Sequence, residues 1–251
     1  MTSWKAALFV GAVLTVAAGQ TASCAEQTVG GRTVTQEFSD PHVAALVRTA
    51  CEGDLLGVER ALTEGADPNF RGFEGITPLF WVVKCENAGG IEALLQAGAD
   101  PNYKPPGRFS PTYAAATMWN PEPLGLLLRH GGDPNARNGD DIDGDSALWE
   151  ALQLGWGGHG WNNYYALLQS GADINRANSA GKTIAHQAVT LAEFEKVSEL
   201  LDRGYDGDLV SLGRAVTVRD IDSASFPAAA AARSRLIRKL EQRGVTFPVL
   251  P

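Results

Sequence analysis

Past its first 25 residues the chain has no apolar stretch long enough to span about 30 Å of hydrocarbon as a helix, which excludes a later membrane-spanning helix. Histidine is scarce, at four, and the patterns GxSxG, HExxH and CxxC are absent, so no nucleophile with its base can be assembled from the sequence. Gly181-Lys182-Thr183 looks like the end of a phosphate loop, but Arg176 stands where the upstream glycine belongs. An enzyme, a cofactor and a resident metal are therefore not expected. Basic residues are in deficit, 21 Lys and Arg against 29 Asp and Glu, for a net charge of −8. Such a chain repels a nucleic-acid backbone and suits a partner with a basic surface.

What is present points to a folded, exported protein. With 44% hydrophobic and 20% charged residues, the chain is too apolar for disorder and can bury a sizeable core. In residues 1–25 Lys5 is the only charge, Ala6 to Ala18 is small and apolar, and Ser23-Cys24-Ala25 sets small residues at a cleavage site. This segment is expected to be a signal peptide directing the chain to the periplasm of a Gram-negative bacterium. Thr21-Ala22-Ser23-Cys24 also resembles a lipoprotein box with Thr21 in place of the usual aliphatic residue. Lipidation of Cys24, giving a lipid-anchored envelope protein, is the alternative and the one expected route to a membrane.

One turn recurs along the rest of the chain. GADPN starts at Gly65 and again at Gly98, GGDPN at Gly131, GADIN at Gly171, and looser versions at Gly204 and Gly244, at spacings of 33, 33, 40, 33 and 40 residues. A fixed period of this size signals stacked units that cannot bury an apolar face alone. Glycine closes a helix in the left-handed conformation, Asp and Asn bond nearby backbone, and Thr before Pro starts the next helix.

Within a period, Gly75-Ile76-Thr77-Pro78-Leu79-Phe80 is followed by Ile91-Glu92-Ala93-Leu94-Leu95 and then by the turn. SPTY at 110, SALW at 146 and TIAH at 183 repeat the start, while ALLQ, LLLR, ALLQ and ELLD precede the turns. These residues resemble the ankyrin repeat. The resemblance implies an all-α solenoid of stacked helix-turn-helix units with hairpin loops over residues 40–212, about five repeats, with an insertion in the fourth. Residues 213–251 are expected to form a divergent C-terminal capping repeat. Phe80, Tyr113, Trp149 and His186 share one position of the period, where an inter-repeat ladder is expected and a ligand cage is the alternative.

The fourth repeat breaks the period by seven residues, three within 135–148 and four within 154–165. The first insertion carries Asp140, Asp141, Asp143 and Asp145, which read as a solvated acidic finger suited to a basic groove or, alternatively, as a calcium loop ending at Glu150. The second carries Trp156, His159, Trp161, Tyr164 and Tyr165 among glycines, the composition of an adaptable interface or of a loop folded onto its neighbour. The family resemblance places contacts on hairpin tips and on the exposed ends of first helices. Carried over, the tips are Phe73, Glu74, Ile76, Arg108, Phe109, Asp141, Ile142, Asp143 and Asp145. The helix positions are Trp81, Lys84, Met118, Trp119, Gln153 and Leu154, joined by Trp156 and Trp161, so repeats two to four form the expected face.

Residues 226–243 read as a helix with Leu236, Ile237 and Leu240 inward and Arg233, Arg235, Arg238, Lys239 and Arg243 outward, as a terminal cap or alternatively a basic docking helix. Cys51 and Cys85 lie near the ends of first helices in adjacent repeats, where export would let a disulfide persist; free buried thiols are the alternative. The function expected is a non-catalytic protein-protein interaction module of the bacterial envelope that sequesters or inhibits one partner, such as an immunity protein against an exported antibacterial effector. No small-molecule substrate is expected. The alternative is an accessory or scaffold for a periplasmic enzyme or an envelope stress response.

Overall fold

The computed structural model describes residues 28–139, 145–178 and 180–247. The expected signal peptide with Cys24, and Asp140, Asp141, Ile142 and Asp143 of the acidic finger, lie outside the described residues. Among the described residues there are thirteen helices and no strand beyond the isolated bridges Val29–Arg32 and Arg137–Ser146. No helix among them is long and apolar enough to cross a membrane.

A short helix, α1 (Val34–Glu37), precedes a series of helix pairs: α2 (Pro41–Glu52) with α3 (Leu55–Thr63), α4 (Pro78–Cys85) with α5 (Ala88–Gln96), and α6 (Pro111–Ala116) with α7 (Glu122–Arg129). They continue as α8 (Ala147–Trp156) with α9 (Asn162–Gln169), α10 (Ile184–Thr190) with α11 (Phe194–Asp202), and α12 (Leu209–Val218) with α13 (Pro227–Gln242). First helices pack on first helices from α2 through α12, and second helices on second helices from α3 to α9 and from α11 to α13. The product is an all-α solenoid whose single core runs its full length through Leu46, Leu79, Leu94, Leu124, Leu167, Leu200 and Leu236. Burial of each such leucine contributes roughly 1.5–3 kcal/mol, which no isolated pair of short helices could collect.

The sequence period is visible atom by atom. Thr77, Ser110 and Ser146 accept the backbone N–H of Phe80, Tyr113 and Trp149 and so cap α4, α6 and α8. Each second helix then ends at a glycine with positive φ, +87° at Gly98 and +85° at Gly131, a conformation that costs a side chain and costs glycine nothing. In the turn that follows, Asp100 Oδ1 accepts the N–H of Asn102 at 2.8 Å, and Asp67, Asp133 and Asp173 do the same two residues on. The last unit has no hairpin, because only Tyr205 to Asp208 separate Gly204 from α12, and Asp208 caps that helix through Ser211 N–H at 2.9 Å.

Both ends are closed by their own devices. At the amino end Phe38 is buried with its ring edge-on to Phe70 and Trp81, at 6.5 and 5.8 Å. Glu37 accepts the N–H of Glu74 with its carboxylate at 3.1 Å and that of Phe73 with its carbonyl at 3.0 Å. At the carboxyl end Leu236 and Leu240 point inward, but most of the cations read as outward are engaged. Arg233 donates to the last carbonyls of α12, Val216 and Thr217, at 2.9 and 3.0 Å. Arg243 donates to Leu201, Lys239 to Ser198 and Asp202, and Arg235 pairs with Glu195. Arg233 and Arg243 thus meet the carbonyl-rich ends of α12 and α11, where cations are favoured, and the basic stripe serves internal closure.

Cys51 and Cys85 form a disulfide, with Cα atoms 5.4 Å apart. Packed helix axes stand about 8–10 Å apart, too far for a bridge at mid-helix. The cysteines are bridged because each sits in the last turn, where α4 stops at Glu86 with φ of +56° and the chain ends converge.

Candidate partner-binding edges

Two edges of the solenoid carry the candidate residues: the hairpins between repeats, and the links that join each first helix to its second. On the hairpin edge the N-terminal segment has taken up much of the surface. Phe73 is 71% exposed but lies under the guanidinium of Arg32, 3.8 Å from its ring centroid. Glu74 pairs with Arg108 of the next hairpin, so these two expected contacts neutralise each other. Ile76 is a correction, since it is completely buried beneath the tip. Phe109 is half-buried, its ring 5.9 Å from Phe80 and 5.2 Å from Tyr113, with the Lys84 ammonium 5.9 Å away. Lys84 is itself half-buried, and burial pushes its pKa down. Asp145 is exposed and ties the root of the finger through its carbonyl to Asn138 at 2.8 Å, while Asp141, Ile142 and Asp143 belong to the part not described.

Trp81 is the larger correction. The resemblance put it on an exposed helix end, but its side chain is fully buried, because Phe38 and the N-terminal segment cover that end of α4. Phe38 and Glu37 were missed as organising residues. A signal was available in Thr33-Val34-Thr35-Gln36, a capping box in which Gln36 accepts the N–H of Thr33 at 2.9 Å and starts α1.

The link edge is built differently. After α6 the chain turns through Met118 and Trp119, and the buried Asn163 of α9 donates to the carbonyls of Met118 at 2.8 Å and Ala116 at 3.3 Å. That fastens the third link to the fourth repeat. Trp119 is 71% exposed, and its indole stacks on the His159 ring with centroids 4.2 Å apart and planes 9° from parallel. His159 N–H in turn bonds Leu154, Gly157 N–H bonds Gln153 and Gly158 N–H bonds Gly155, at 2.8–3.1 Å. The glycines of this insertion therefore close α8, and the loop folds against the neighbouring link, the second of the two readings of its composition. Trp156, the last residue of α8, is exposed, Gln153 and Leu154 are half-buried, and Met118 packs against the core.

Trp161 turns inward, against its assignment to the partner. Gly155 leaves the space for its ring, which meets Tyr164 edge-on at 5.7 Å, and Lys196 of α11 stands over it at 4.4 Å. Most of the exposed large apolar residues gather at this edge: Leu55, Leu56, Trp119, Trp156, Val218 and Phe226 all flank a link between a first and a second helix.

The family model for the ankyrin repeat matches residues 74–104, which span the tip at Glu74, both helices α4 and α5, and the turn at Gly98. The matched segment is an ankyrin repeat, and the chain folds as an all-α solenoid of such units. No curated protein matches it. Ankyrin repeats are typically non-catalytic modules for protein-protein interaction, and the polar groups buried between these repeats act as struts.

In the ankyrin ladder, Tyr113 donates to Glu150 of the next repeat at 2.8 Å; burial raises the pKa of both, and the charge of Glu150 adds to the rise at Tyr113. Glu150 lies in α8 and is held by this bond. His186 shares hydrogen bonds with Thr183 at 3.0 Å and with Ser211 at 3.2 Å, and burial lowers its pKa, so it stays neutral in the core. Phe80, Tyr113 and His186 are buried and Trp149 is half-buried against the core.

Proposed function

We propose that this ankyrin-repeat protein is a non-catalytic binding module of the bacterial envelope that sequesters a single protein partner with a basic surface, and that the partner docks on the link edge of repeats three and four. The observation that carries the proposal is Trp119, exposed and stacked on His159, on a link whose preceding residue Met118 is fastened through its carbonyl by Asn163. Exposed aromatics on a rigid support give contact area with little entropy left to lose, the property of residues that dominate interfaces. Inhibition of an exported antibacterial effector is the sharper form of this reading, supported by the acidic balance of the chain alone.

Pull-down from an envelope extract with the purified chain, followed by affinity measurement, tests the reading. Trp119→Ala and Trp156→Ala, both at exposed positions, are expected to fold normally. At least one is expected to weaken binding by about 2 kcal/mol or more, roughly thirtyfold. Wild-type affinity in both variants would remove the partner from this edge, and turnover of an envelope substrate by the purified chain would remove the binding-module reading itself.

A further inference from the structure

One repeat beyond Trp119, the chain meets an aromatic surface with a cation of its own. Lys196 Nζ stands 4.4 Å from the centroid of Trp161 and 4.6 Å from that of Tyr165, with the carboxylate of Glu199 at 3.4 Å. Trp119 has the aromatic part of this arrangement without the cation. One face of its indole lies on His159, and among the described residues no lysine or arginine stands over the ring. By the 33-residue offset between Gly171 and Gly204, the place that Lys196 holds in α11 is taken in α9 by Asn163, which is buried, bonds the carbonyls of Ala116 and Met118, and supplies no charge to the preceding link.

Exposed carboxylates lie on this link and on the one before it. Glu122 opens α7 immediately after the Trp119 link, and Glu86 ends α4 in the preceding repeat, where its charge also acts on Lys84; both are exposed and neither forms a salt bridge within 4.0 Å among the described residues. Farther along the links Glu52, Asp54, Asp220 and Asp222 are also exposed, against Arg219 as the exposed cation. A cation over an indole face is attracted by the ring quadrupole, and a planar guanidinium can stack as well. The row of carboxylates steers a positively charged chain toward this edge and repels an anionic lipid surface.

From this geometry we infer that Trp119 receives an arginine or lysine side chain of the partner protein, stacked on the indole face opposite His159 and neutralised by Glu122 and Glu86. The inference rests on the proposed interaction function and adds the chemistry of the contact. It makes the link edge, not the hairpin tips, the reader of the partner's basic residues.

The test is titration of the purified chain with a short peptide containing arginine and leucine, and with its citrulline counterpart, which has nearly the same shape and no charge. The readout is NMR of the tryptophan indole N–H and histidine ring signals. The Trp119 and His159 signals are expected to shift saturably with the arginine peptide. The response should be about tenfold weaker with citrulline and in a Glu86→Gln, Glu122→Gln variant, and should fall steeply at about 0.5 M salt. Both substitutions are at exposed sites, and an unchanged circular dichroism melt verifies the fold. Equal response to the two peptides, or an undiminished response in the carboxylate variant, overturns the inference. A Trp119 shift produced by phosphatidylcholine vesicles and not by the arginine peptide overturns it in favour of a lipid surface. A response confined to other tryptophan or histidine signals, such as that of His130 beside the turn at Gly131, overturns it while leaving the interaction function standing.

Discussion

The side chain of Asn102 accepts the N–H of Asp133, one repeat on, at 2.7 Å and returns its amide N–H to the carbonyl of Gly131 at 2.8 Å. Asn69 makes the same pair of bonds to Asp100 and Gly98, and Asn135 and Asn175 accept from Asp173 and Asp206. The recurring turn is thus more than a bend. Its glycine ends a helix, its aspartate holds the turn, and its asparagine clamps that turn to the next.

Asn102→Ala removes both clamp bonds without touching the core. Two solvent-accessible hydrogen bonds at roughly 0.5–1.5 kcal/mol each predict a loss of about 1–3 kcal/mol. Asn102→Asp keeps the acceptor and loses the donor, so it should fall between. Urea unfolding of the three proteins measures this, and an unchanged midpoint for the alanine variant would show that the clamp contributes nothing.

The Cys51–Cys85 disulfide closes a loop across the first two stacked units, with a sequence separation of 34. On the chain-entropy account a loop of that size contributes up to about 4 kcal/mol. Reduction, or the Cys51→Ala, Cys85→Ala variant, should therefore lower the thermal midpoint. The thiol count of the denatured protein should rise by two on reduction. Two reactive thiols before any reductant is added would contradict the bridge.

Gly155 is a packing residue. A Cβ there would overlap the six-membered ring of Trp161. Gly155→Ala, although favourable for an isolated helix, should displace that indole from Lys196 and destabilise the protein by about 1–3 kcal/mol, the usual cost of overpacking. Tryptophan emission and the unfolding midpoint should change together. A variant more stable than wild type would mean that the Trp161 pocket has slack.

Periodicity made the architecture legible because every unit repeats the same local physics: Gly98 and Gly131 end helices, Thr77 and Ser110 start them, and Leu94 and Leu127 fill the core between. The site was less legible because exposure depends on what a non-repeating segment does. Trp81 and Trp119 both follow a first-helix motif, yet Phe38 covers one and leaves the other open. The link insertion was visible in the spacing, whereas its anchoring depends on Asn163, an ordinary polar residue in sequence whose partners at the end of α6 appear only when α9 packs beside α7. Six-fold repetition informs about what repeats; Phe38, Glu37 and Asn163 each occur at one place.

Glu37 supplies a pH-dependent test of the N-terminal closure. Its carboxylate has no exposed side-chain surface, and burial raises its pKa against the opposing influence of Arg32, Arg108 and a backbone N–H. A carboxyl whose pKa is raised on folding contributes stability that is fully present below the ordinary carboxylate value and lost as pH rises through the raised value. At neutral pH the ionised group therefore costs stability relative to an uncharged one of the same shape. Glu37→Gln keeps an oxygen to accept the N–H of Glu74 and removes the charge. The variant should melt no lower than wild type at pH 7, and its advantage should shrink on acidification and vanish once wild-type Glu37 is protonated. His186 titrates with the opposite sign, its lowered pKa withdrawing stability as pH falls, but that contribution is common to both proteins and cancels in the comparison. Paired melting curves between about pH 4 and 7 measure the difference. A variant less stable at pH 7 than at pH 4, relative to wild type, would mean that the pairing with Arg32 and Arg108 outweighs desolvation and that the segment is held down by charge.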